Sequence, residues 1–169
     1  MLEVYIDARC KTSSDVLMRT CAARRLGVSS DGIEILRGAH GKPYINGVFL
    51  NVSHSGDYIV CATASAPIGV DIERIRPVRA GIAERFFHPH EAEYLRSSDA
   101  SQFFRVWTMK EAYLKRDGRG LSGGLSSFDV LSLPNSIFFT TQLDGGYILT
   151  LCTDDPDLSK IHWSVNHNG

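Results

Sequence analysis

Apolar residues recur along the chain with two periodicities, one typical of strands and one typical of helices. Leu2–Asp7 alternates between apolar and polar positions, which predicts a strand with one buried face. Apolar positions then recur every three or four residues up to Leu26, which predicts a helix that packs one face on a core. Ser13 or Ser14 is a suitable N-cap for this helix, and Gly27 is a suitable stop.

The chain that follows this helix reads as short strands joined by polar turns. A hairpin is expected around Asn46-Gly47, because this dipeptide suits a tight turn with positive φ angles. The polar segment Asn51–Asp57 is expected to be a loop between strands. The segments predicted as strands are Ile33–Leu36, the hairpin Tyr44–Asn51, Tyr58–Ala64 and Ile68–Glu73.

After residue 76 the pattern changes to helices followed by further strands. One helix is predicted from Arg79 to about Leu95, with a break near His88-Pro89-His90. Another is predicted from Ser101 to about Asp117, before a glycine run from 118 to 124. The later strands are predicted at Ser127–Leu131, Ser136–Gln142, Tyr147–Cys152 and Ile161–Asn166, with a turn at Asp144-Gly145-Gly146.

This order of elements predicts an α+β fold with a pseudo-twofold duplication of two similar halves. Each half would be a long helix packed on a small antiparallel sheet, the first over residues 1–76 and the second over residues 77–169. The halves show no sequence identity, so the duplication is a prediction about structure. We expect them to form one compact unit with a cleft where Glu73 and Glu111 meet.

Composition narrows the class of protein. The chain has 169 residues, 43% of them hydrophobic and 22% charged, which is typical of a globular protein with one well-buried core. A formal net charge of −1 argues against a general nucleic-acid binder, which is usually basic. Four scattered cysteines without zinc-ligand spacing favour a reduced cytoplasmic setting. Neither a signal peptide nor a membrane-spanning run is evident, so no membrane association is expected.

Three acidic residues are the candidate metal ligands. Asp71 and Glu73 are two apart on a predicted strand, so both carboxylates should project from the same face. Glu111 lies on the predicted helix four residues before Lys115, and these two share a helix face. Three clustered carboxylates suit Mg²⁺, which prefers oxygen ligands. A solvated strand face and an ordinary exposed salt bridge are the simpler interpretations of the same residues.

Two polar segments are candidate phosphate contacts. Ser53 and His54 lie between predicted strands, where a hydroxyl, an imidazole and backbone N–H groups can bind phosphate oxygens. A nucleophilic Ser–His pair is a weaker alternative, because neighbours in sequence rarely reach the geometry of a catalytic triad. Lys42, held between Gly41 and Pro43, is placed to face an anion, although the segment could be only a turn. Spacing alone indicates a Mg²⁺-assisted phosphate site and does not name the reaction.

Taken together, these segments resemble the 4′-phosphopantetheinyl transferase superfamily, and specifically its Sfp-type group. The resemblance covers roughly residues 38–131. The matching segments are GKP at 41–43, NVSHS at 51–55, GVDIE at 69–73, RFFHPHEAEYL at 85–95, WTMKEAYLK at 107–115 and DGRGLSGGLSSFDV at 117–130. It implies a pseudo-twofold fold with coenzyme A bound between the halves. The implied activity is transfer of the phosphopantetheine arm to a serine of an acyl or peptidyl carrier protein, which releases adenosine 3′,5′-bisphosphate.

The resemblance also implies roles for individual residues. Asp71, Glu73 and Glu111 would hold Mg²⁺, and Glu111 would also take the proton from the carrier serine. Lys115 would stabilise the leaving phosphate. The implied contacts to coenzyme A are Lys42, Pro43, Ser53, His54, Lys110 and Lys115.

One departure from the family pattern motivates an alternative function. Only about forty residues precede GKP at 41–43, whereas Sfp-type members usually have a longer N-terminal region with basic residues that help to bind coenzyme A. A non-catalytic relative that binds coenzyme A or a carrier protein is therefore the alternative. The intact Asp71, Glu73, Glu111 and Lys115 favour the enzyme. An internal twofold favours a monomer.

Overall fold

A computed structural model describes residues 2–8, 11–38, 41–118, 124–134, 137–155 and 161–165. Parts of several predicted features lie outside these residues: the glycine run at 119–123, the start of the strand predicted at Ser136, and the end of the strand predicted at Asn166.

The described residues form nine strands and four helices longer than a single turn. The helices are α1 Ser14–Leu26, α2 Ile82–Phe86, α3 Pro89–Leu95 and α4 Ala100–Asp117. The strands are β1 Leu2–Ala8, β2 Leu36–Arg37, β3 Pro43–Tyr44, β4 Phe49–Ser55, β5 Tyr58–Ala64, β6 Ile68–Arg74, β7 Phe138–Leu143, β8 Tyr147–Thr153 and β9 Ile161–Val165.

The helix boundaries follow the capping residues in the sequence. The Ser13 side chain accepts a hydrogen bond from Val16 N–H, and Gly27 ends α1 in the left-handed region at φ 69°. Asp99 caps α4 in the same way, and Gly118 ends it at φ 75°. The predicted caps of α1 and the predicted extent of α4 are confirmed.

Two sheets carry the fold, in line with the predicted α+β class. The first has the strand order β4-β5-β1-β9, in which β9 runs parallel to β1 and the other pairs are antiparallel. The second is antiparallel with the order β6-β8-β7. The division predicted at residue 76 does not separate the sheets, because β6 pairs with β8 and β9 pairs with β1. The internal duplication stays a prediction.

The sheets pack face to face, and each has a long helix on its outer face. Side chains of β1 and β5 meet those of β6 and β8 in a central core that includes Val4, Val60, Val70 and Leu149. A second core packs α1 on the outer face of the first sheet. A third packs α3 and α4 on the outer face of the second sheet. Because β6 is an edge strand of the second sheet, its open side faces β4.

The structure corrects three local predictions. The segment predicted as a polar loop, Asn51–Asp57, is mostly the strand β4. Ser127–Leu131 forms two 3-10 turns, Leu125–Ser127 and Val130–Ser132, where a strand was predicted. Of the strand predicted at Ile33–Leu36, only Leu36 lies in a strand. These errors share a cause, since strand assignment from a short pattern depends on which neighbour completes the sheet.

Candidate active site

The strand β6 presents its two acidic side chains to the helix α4. Ile68, Val70 and Ile72 face the central core, so the alternating residues Gly69, Asp71 and Glu73 face the opposite side. The predicted side-by-side placement of the two carboxylates is therefore present. Asp71 is buried, whereas Glu73 is partly exposed.

Gly69 lets β6 and α4 approach each other more closely than any side chain would allow. A Cβ atom at this position would lie 1.9 Å from the carbonyl oxygen of Ala112 and 2.5 Å from the backbone nitrogen of Arg116. Both atoms belong to the helix backbone and have no freedom to move aside. The glycine of the GVDIE segment therefore sets the spacing between the strand with Asp71 and the helix with Lys115.

Lys115 reaches from α4 to β6 and binds Asp71. Its Nζ donates to Asp71 Oδ1 at 2.6 Å, to Ser53 Oγ at 2.9 Å and to Val70 O at 3.2 Å. Ser53 Oγ also donates to Asp71 Oδ1 at 2.9 Å. The Lys115 side chain keeps 28% of its surface exposed, while that of Asp71 keeps 7%. Solvent therefore reaches part of the Lys115 side chain but little of the Asp71 carboxylate.

Glu73 is bound by a second serine and by an arginine. Ser55 Oγ donates to Glu73 Oε2 at 2.9 Å, and Arg76 donates to the same oxygen at 3.0 Å. The Arg76 guanidinium also lies over the Phe104 ring of α4, 4.8 Å from its centre. Arg76 thus links Glu73 to the helix that carries Glu111.

Burial and mutual repulsion act on the acids. Burial raises the pKa of Asp71, and Lys115 opposes this effect. Burial also raises the pKa of Glu111, and the negative charges of Asp71 and Glu73 add to it. Burial is the largest cause in both cases, and a bound cation would oppose its effect on both carboxylates.

The carboxylates are suitable in kind for a hard cation but are not arranged as a ligand cluster. Among the residues that the structure describes, no three His, Cys, Asp or Glu side chains converge closely enough to hold a metal ion. Asp71 and Glu73 each bind a protein cation of their own, Lys115 and Arg76. Asp71 Oδ2, however, is buried and has no hydrogen-bond partner. An oxygen in that state can accept a cation without giving up another bond.

Lys110 was predicted to contact coenzyme A, and its placement does not fit that role. Its side chain and that of Glu91 are both 0% exposed. Its Nζ donates to the two carboxylate oxygens of Glu91 at 2.7 and 2.6 Å and to Phe128 O at 2.7 Å. All three protons of the ammonium group are therefore used inside the protein, and none faces a ligand.

The remaining predicted contacts lie around the same region in different settings. Lys42 donates to the backbone carbonyl of Lys115 at the C-terminal end of α4, and burial lowers the pKa of its ammonium group. Pro43 lies in β3 opposite Arg37. His54 is exposed and points away from Ser53, on the other face of β4. Ser53 is buried against Asp71, so its hydroxyl is not open to a phosphate.

A largely apolar cavity of about 700 Å³ borders Glu111. Glu111 and Trp107 of α4 form one side, and Arg76 and Arg79 form part of the other. Glu111 is the only one of the three acids on its wall. A group bound in this cavity would therefore meet Glu111 before the acids of β6.

Sequence reasoning missed Asn51 and Arg76, and it grouped Ser55 with Ser53 and His54 as a phosphate-binding loop without its contact to Glu73. Asn51 and Ser55 have the same spacing of two from Ser53 as the alternating residues of a strand face, which was the available signal. Because the segment was predicted as a loop, this strand-like spacing was not considered. Arg76 follows the strand, and no pattern in the sequence indicated that it would turn back to Glu73.

Two family models match the chain. The model of the 4′-phosphopantetheinyl transferase superfamily matches residues 67–165. The model of the N-terminal part of 4′-phosphopantetheinyl transferases matches residues 4–66. The two matches meet just before β6, in agreement with the pairing of β6 in the second sheet.

Curated relatives match over most of their own length. A 4′-phosphopantetheinyl transferase of Bacillus subtilis is 38% identical over 171 residues, which cover 89% of this chain and 76% of the relative. The enzyme Sfp of Bacillus subtilis strain 168 is 34% identical over 174 residues, covering 91% and 78%. The enzyme psf-1 of Bacillus pumilus is 37% identical over 171 residues, covering 89% and 73%.

Proposed function

Since this chain belongs to the 4′-phosphopantetheinyl transferase superfamily and is one of its Sfp-type enzymes, we propose that it modifies carrier proteins. It moves the phosphopantetheine arm of coenzyme A to a serine of an acyl or peptidyl carrier protein. The serine oxygen forms a bond to phosphorus, the bridging P–O bond of the diphosphate breaks, and adenosine 3′,5′-bisphosphate leaves. The observation that carries the proposal is the Lys115–Asp71 pair, partly open to solvent beside a buried carboxylate oxygen without a partner.

Asp71, Glu73 and Glu111 would hold Mg²⁺ in this proposal. Their carboxylate oxygens are the ligands that Mg²⁺ prefers, and Asp71 Oδ2 is uncommitted. When bound, the ion would neutralise charge on the diphosphate of coenzyme A. The raised pKa values of Asp71 and Glu111 agree with this assignment, because both are raised chiefly by burial and a bound cation would oppose that effect.

Glu111 is the proposed base. It lies on the wall of the cavity, where the incoming serine of the carrier protein can approach it. Its pKa is raised, chiefly by burial, which makes its carboxylate a stronger proton acceptor than that of an exposed glutamate. The proton of the serine hydroxyl would pass to its carboxylate as the serine oxygen attacks phosphorus.

Lys115 and the GKP segment are the proposed contacts to the diphosphate and the nucleotide. Lys115, whose side chain is partly exposed, would stabilise negative charge on the leaving phosphate by exchanging its longest bond, to Val70 O at 3.2 Å, for one to the phosphate. Lys42 and Pro43 lie beside the end of α4 that carries Lys115, and exposed His54 would contact the nucleotide end. The buried Ser53 and Lys110 are not part of this set.

A non-catalytic relative that binds coenzyme A or a carrier protein is the second candidate. The open pair formed by Lys115 and Asp71 favours the enzyme, because a binding module has no need of a poorly compensated buried acid.

A mass measurement separates the two candidates. A generic apo carrier protein would be incubated with this protein and coenzyme A, once with Mg²⁺ and once with EDTA, and its intact mass recorded. We expect a gain of one phosphopantetheine arm only with the metal. If several acyl and peptidyl carriers gain no mass while coenzyme A still binds, the binding module is the better description.

Glu111→Gln is the matched variant for that assay. It is expected to reduce transfer by orders of magnitude, because it removes the proposed base and a proposed ligand without changing the size of the side chain. A variant with near-normal turnover would remove Glu111 from the reaction.

The setting of the enzyme is part of the proposal. We place it in the cytoplasm as a monomer, with no nucleic-acid partner. The described cysteines Cys21, Cys61 and Cys152 are all free thiols, which agrees with a reducing compartment. Among the described helices, none has the length and apolarity needed to cross a membrane.

A further inference from the structure

Three polar side chains of β4 point at the open edge of β6. Asn51 Oδ1 accepts a hydrogen bond from Val70 N–H at 2.9 Å, Ser53 Oγ from Ile72 N–H at 3.4 Å, and Ser55 Oγ from Arg74 N–H at 3.1 Å. We call these three side chains the β4 comb. Side-chain oxygens here take the place of the carbonyl groups that a neighbouring strand would offer. They thus satisfy backbone donors that would otherwise be buried or left at an open edge.

Two members of the β4 comb do more than satisfy the backbone. The Ser53 hydroxyl donates to Asp71 Oδ1, and the Ser55 hydroxyl donates to Glu73 Oε2, each at 2.9 Å. Each serine thus accepts a bond from the strand and donates its single proton to a carboxylate. Because its acceptor and donor partners are both fixed, each hydroxyl ties the direction of one carboxylate to the backbone that carries it.

We propose that Ser55 is a positioning residue that orients the Glu73 carboxylate for cation binding, with Ser53 doing the same for Asp71. This inference rests on the proposed function, in which both acids hold the ion. Ser55 touches no reacting atom and acts only through Glu73. Hydrogen bonds of this kind fix the direction of ligand carboxylates, and their loss typically costs 10- to 100-fold in metal affinity.

Ser55 tests the proposal better than Ser53 does. Ser53 also accepts a bond from Lys115, so replacing it would disturb a residue of the proposed reaction. Within the described residues, the side-chain hydroxyl of Ser55 forms hydrogen bonds with Arg74 N–H and Glu73. Arg76 binds the same Glu73 oxygen, so the carboxylate of a Ser55 variant keeps one partner but loses its tie to the strand.

The β4 comb contains its own control. Asn51 accepts a bond from β6 as Ser55 does, but no described hydrogen bond joins it to an acid. Asn51→Ala therefore removes support from the same strand edge and leaves both carboxylate contacts intact. Ser55→Thr keeps a hydroxyl at the tested position and suits a strand.

The experiment compares Ser55→Ala, Ser55→Thr and Asn51→Ala with the unmodified protein. The Mg²⁺ concentration needed for half-maximal transfer is measured together with kcat at saturating Mg²⁺. Ser55→Ala is expected to raise the Mg²⁺ requirement about tenfold with kcat within about twofold. Ser55→Thr is expected to restore the requirement. Asn51→Ala is expected to lower the melting temperature and to leave the Mg²⁺ requirement unchanged.

Two readouts need no turnover. Thermal shift on addition of MgCl₂ should be weaker in Ser55→Ala than in the unmodified protein. Hydrogen exchange in metal-free protein should become faster at Arg74 in Ser55→Ala and at Val70 in Asn51→Ala. If the unmodified protein transfers nothing, the proposed function fails, while these readouts still decide the role of Ser55.

Two results would overturn the inference. One is an unchanged Mg²⁺ requirement and Mg²⁺-induced shift in Ser55→Ala. The other is a Mg²⁺ requirement that rises equally in Asn51→Ala, which would show that a loosened strand edge is the cause.

Discussion

Two lysines of α4 each form an ion pair with a carboxylate at 2.6 Å, yet one pair is closed and the other is open. Lys110 and Glu91 are completely buried. Lys115 keeps 28% of its side-chain surface, and its partner Asp71 keeps 7%. The two lysines are five residues apart on one helix, so their different surroundings are set by what packs against each position.

The closed pair has no capacity left for a ligand. Glu91 accepts bonds from Lys110, from Val130 N–H at 2.7 Å and from His88 N–H at 3.0 Å. Lys110 also lies over the Phe128 ring, 4.1 Å from its centre. This pair joins α3, α4 and the turns at 125–132. Because its donors and acceptors are all used within the protein, this pair stabilises the fold and has none available for a ligand or a reaction.

The open pair lacks that completeness. Asp71 Oδ2 has no hydrogen-bond partner, and solvent reaches part of the Lys115 side chain. The comparison teaches that ion-pair length does not distinguish a structural lysine from one at a site. The discriminating features are the unsatisfied oxygen and the exposure of the cation.

Lys110→Met should have the largest effect on stability. It leaves Glu91 as a buried charge without its cation, which typically costs about 3–5 kcal/mol of unfolding free energy. Urea denaturation measures this loss. The double variant Lys110→Met with Glu91→Gln should recover part of it, since glutamine removes the charge and keeps an acceptor. A Lys110→Met protein of normal stability that has lost transfer would instead return Lys110 to the site.

Lys115→Met should reduce activity more than stability, the opposite of Lys110→Met. Transfer is expected to fall about 10²- to 10³-fold, as when one stabilising donor is removed from an active site. The unfolding free energy should fall by less than in Lys110→Met, because solvent reaches Lys115 and Asp71 keeps its hydrogen bond from Ser53. Parallel urea and transfer measurements on the two lysine variants test the comparison. Equal stability losses would contradict it.

Gly69→Ala should disturb the open pair through its backbone. The added Cβ would meet the Ala112 carbonyl at 1.9 Å, so β6 and α4 must separate. Overpacking of this kind costs about 1–3 kcal/mol, and the Lys115–Asp71 contact should lengthen. Gly32→Ala is the control, because nothing lies within 4 Å of a Cβ there. A Gly69→Ala protein with normal stability and transfer would show that the close approach is dispensable.

Glu111→Gln should have the smallest effect on stability, and its sign depends on pH. The folded protein raises the pKa of Glu111 through burial and neighbouring acids, so it binds the proton more tightly than the unfolded chain does. That stabilising contribution is complete below the ordinary glutamate pKa of about 4.3 and is lost as pH rises through the raised value. At neutral pH without metal, Glu111→Gln should therefore melt slightly higher than the unmodified protein.

Melting curves between pH 4 and pH 8, in EDTA, measure this difference. The rise in melting temperature of Glu111→Gln should shrink as the pH falls. No such rise is expected in Glu84→Gln, which removes an exposed acid. Added Mg²⁺ should reduce the rise in Glu111→Gln by stabilising the ionised glutamate. A gain that is independent of pH would mean that the charge of Glu111 is not its source.

Much of the site was predictable because it depends on local periodicity. The spacing of two between Asp71 and Glu73 places both carboxylates on one face of any strand. The spacing of four between Glu111 and Lys115 does the same on any helix. The caps at Ser13 and Gly27 fixed α1 for similar reasons. Confirmed predictions of this kind concern neighbours along the chain.

The errors concern partners that are distant along the chain. Lys110 was included among the coenzyme A contacts as a residue of the family motif, but the packing of α3 on α4 brings Glu91 to it. The segment around Ser53 was predicted as a loop because it is polar. In the structure its polar side chains accept hydrogen bonds from the N–H groups of β6, so the segment can be a strand. Polar residues are ambiguous in sequence, since the same side chain can face solvent or satisfy a distant backbone.

The sequence by itself thus determined the α+β class, the faces of β6 and α4 and the family, because these follow from periodicity and from the order of short motifs. The tertiary structure alone decided which lysine is closed and which is open, and which serine supports which acid. Burial and hydrogen-bond completion are properties of contacts between segments far apart in the chain. No local pattern carries that information.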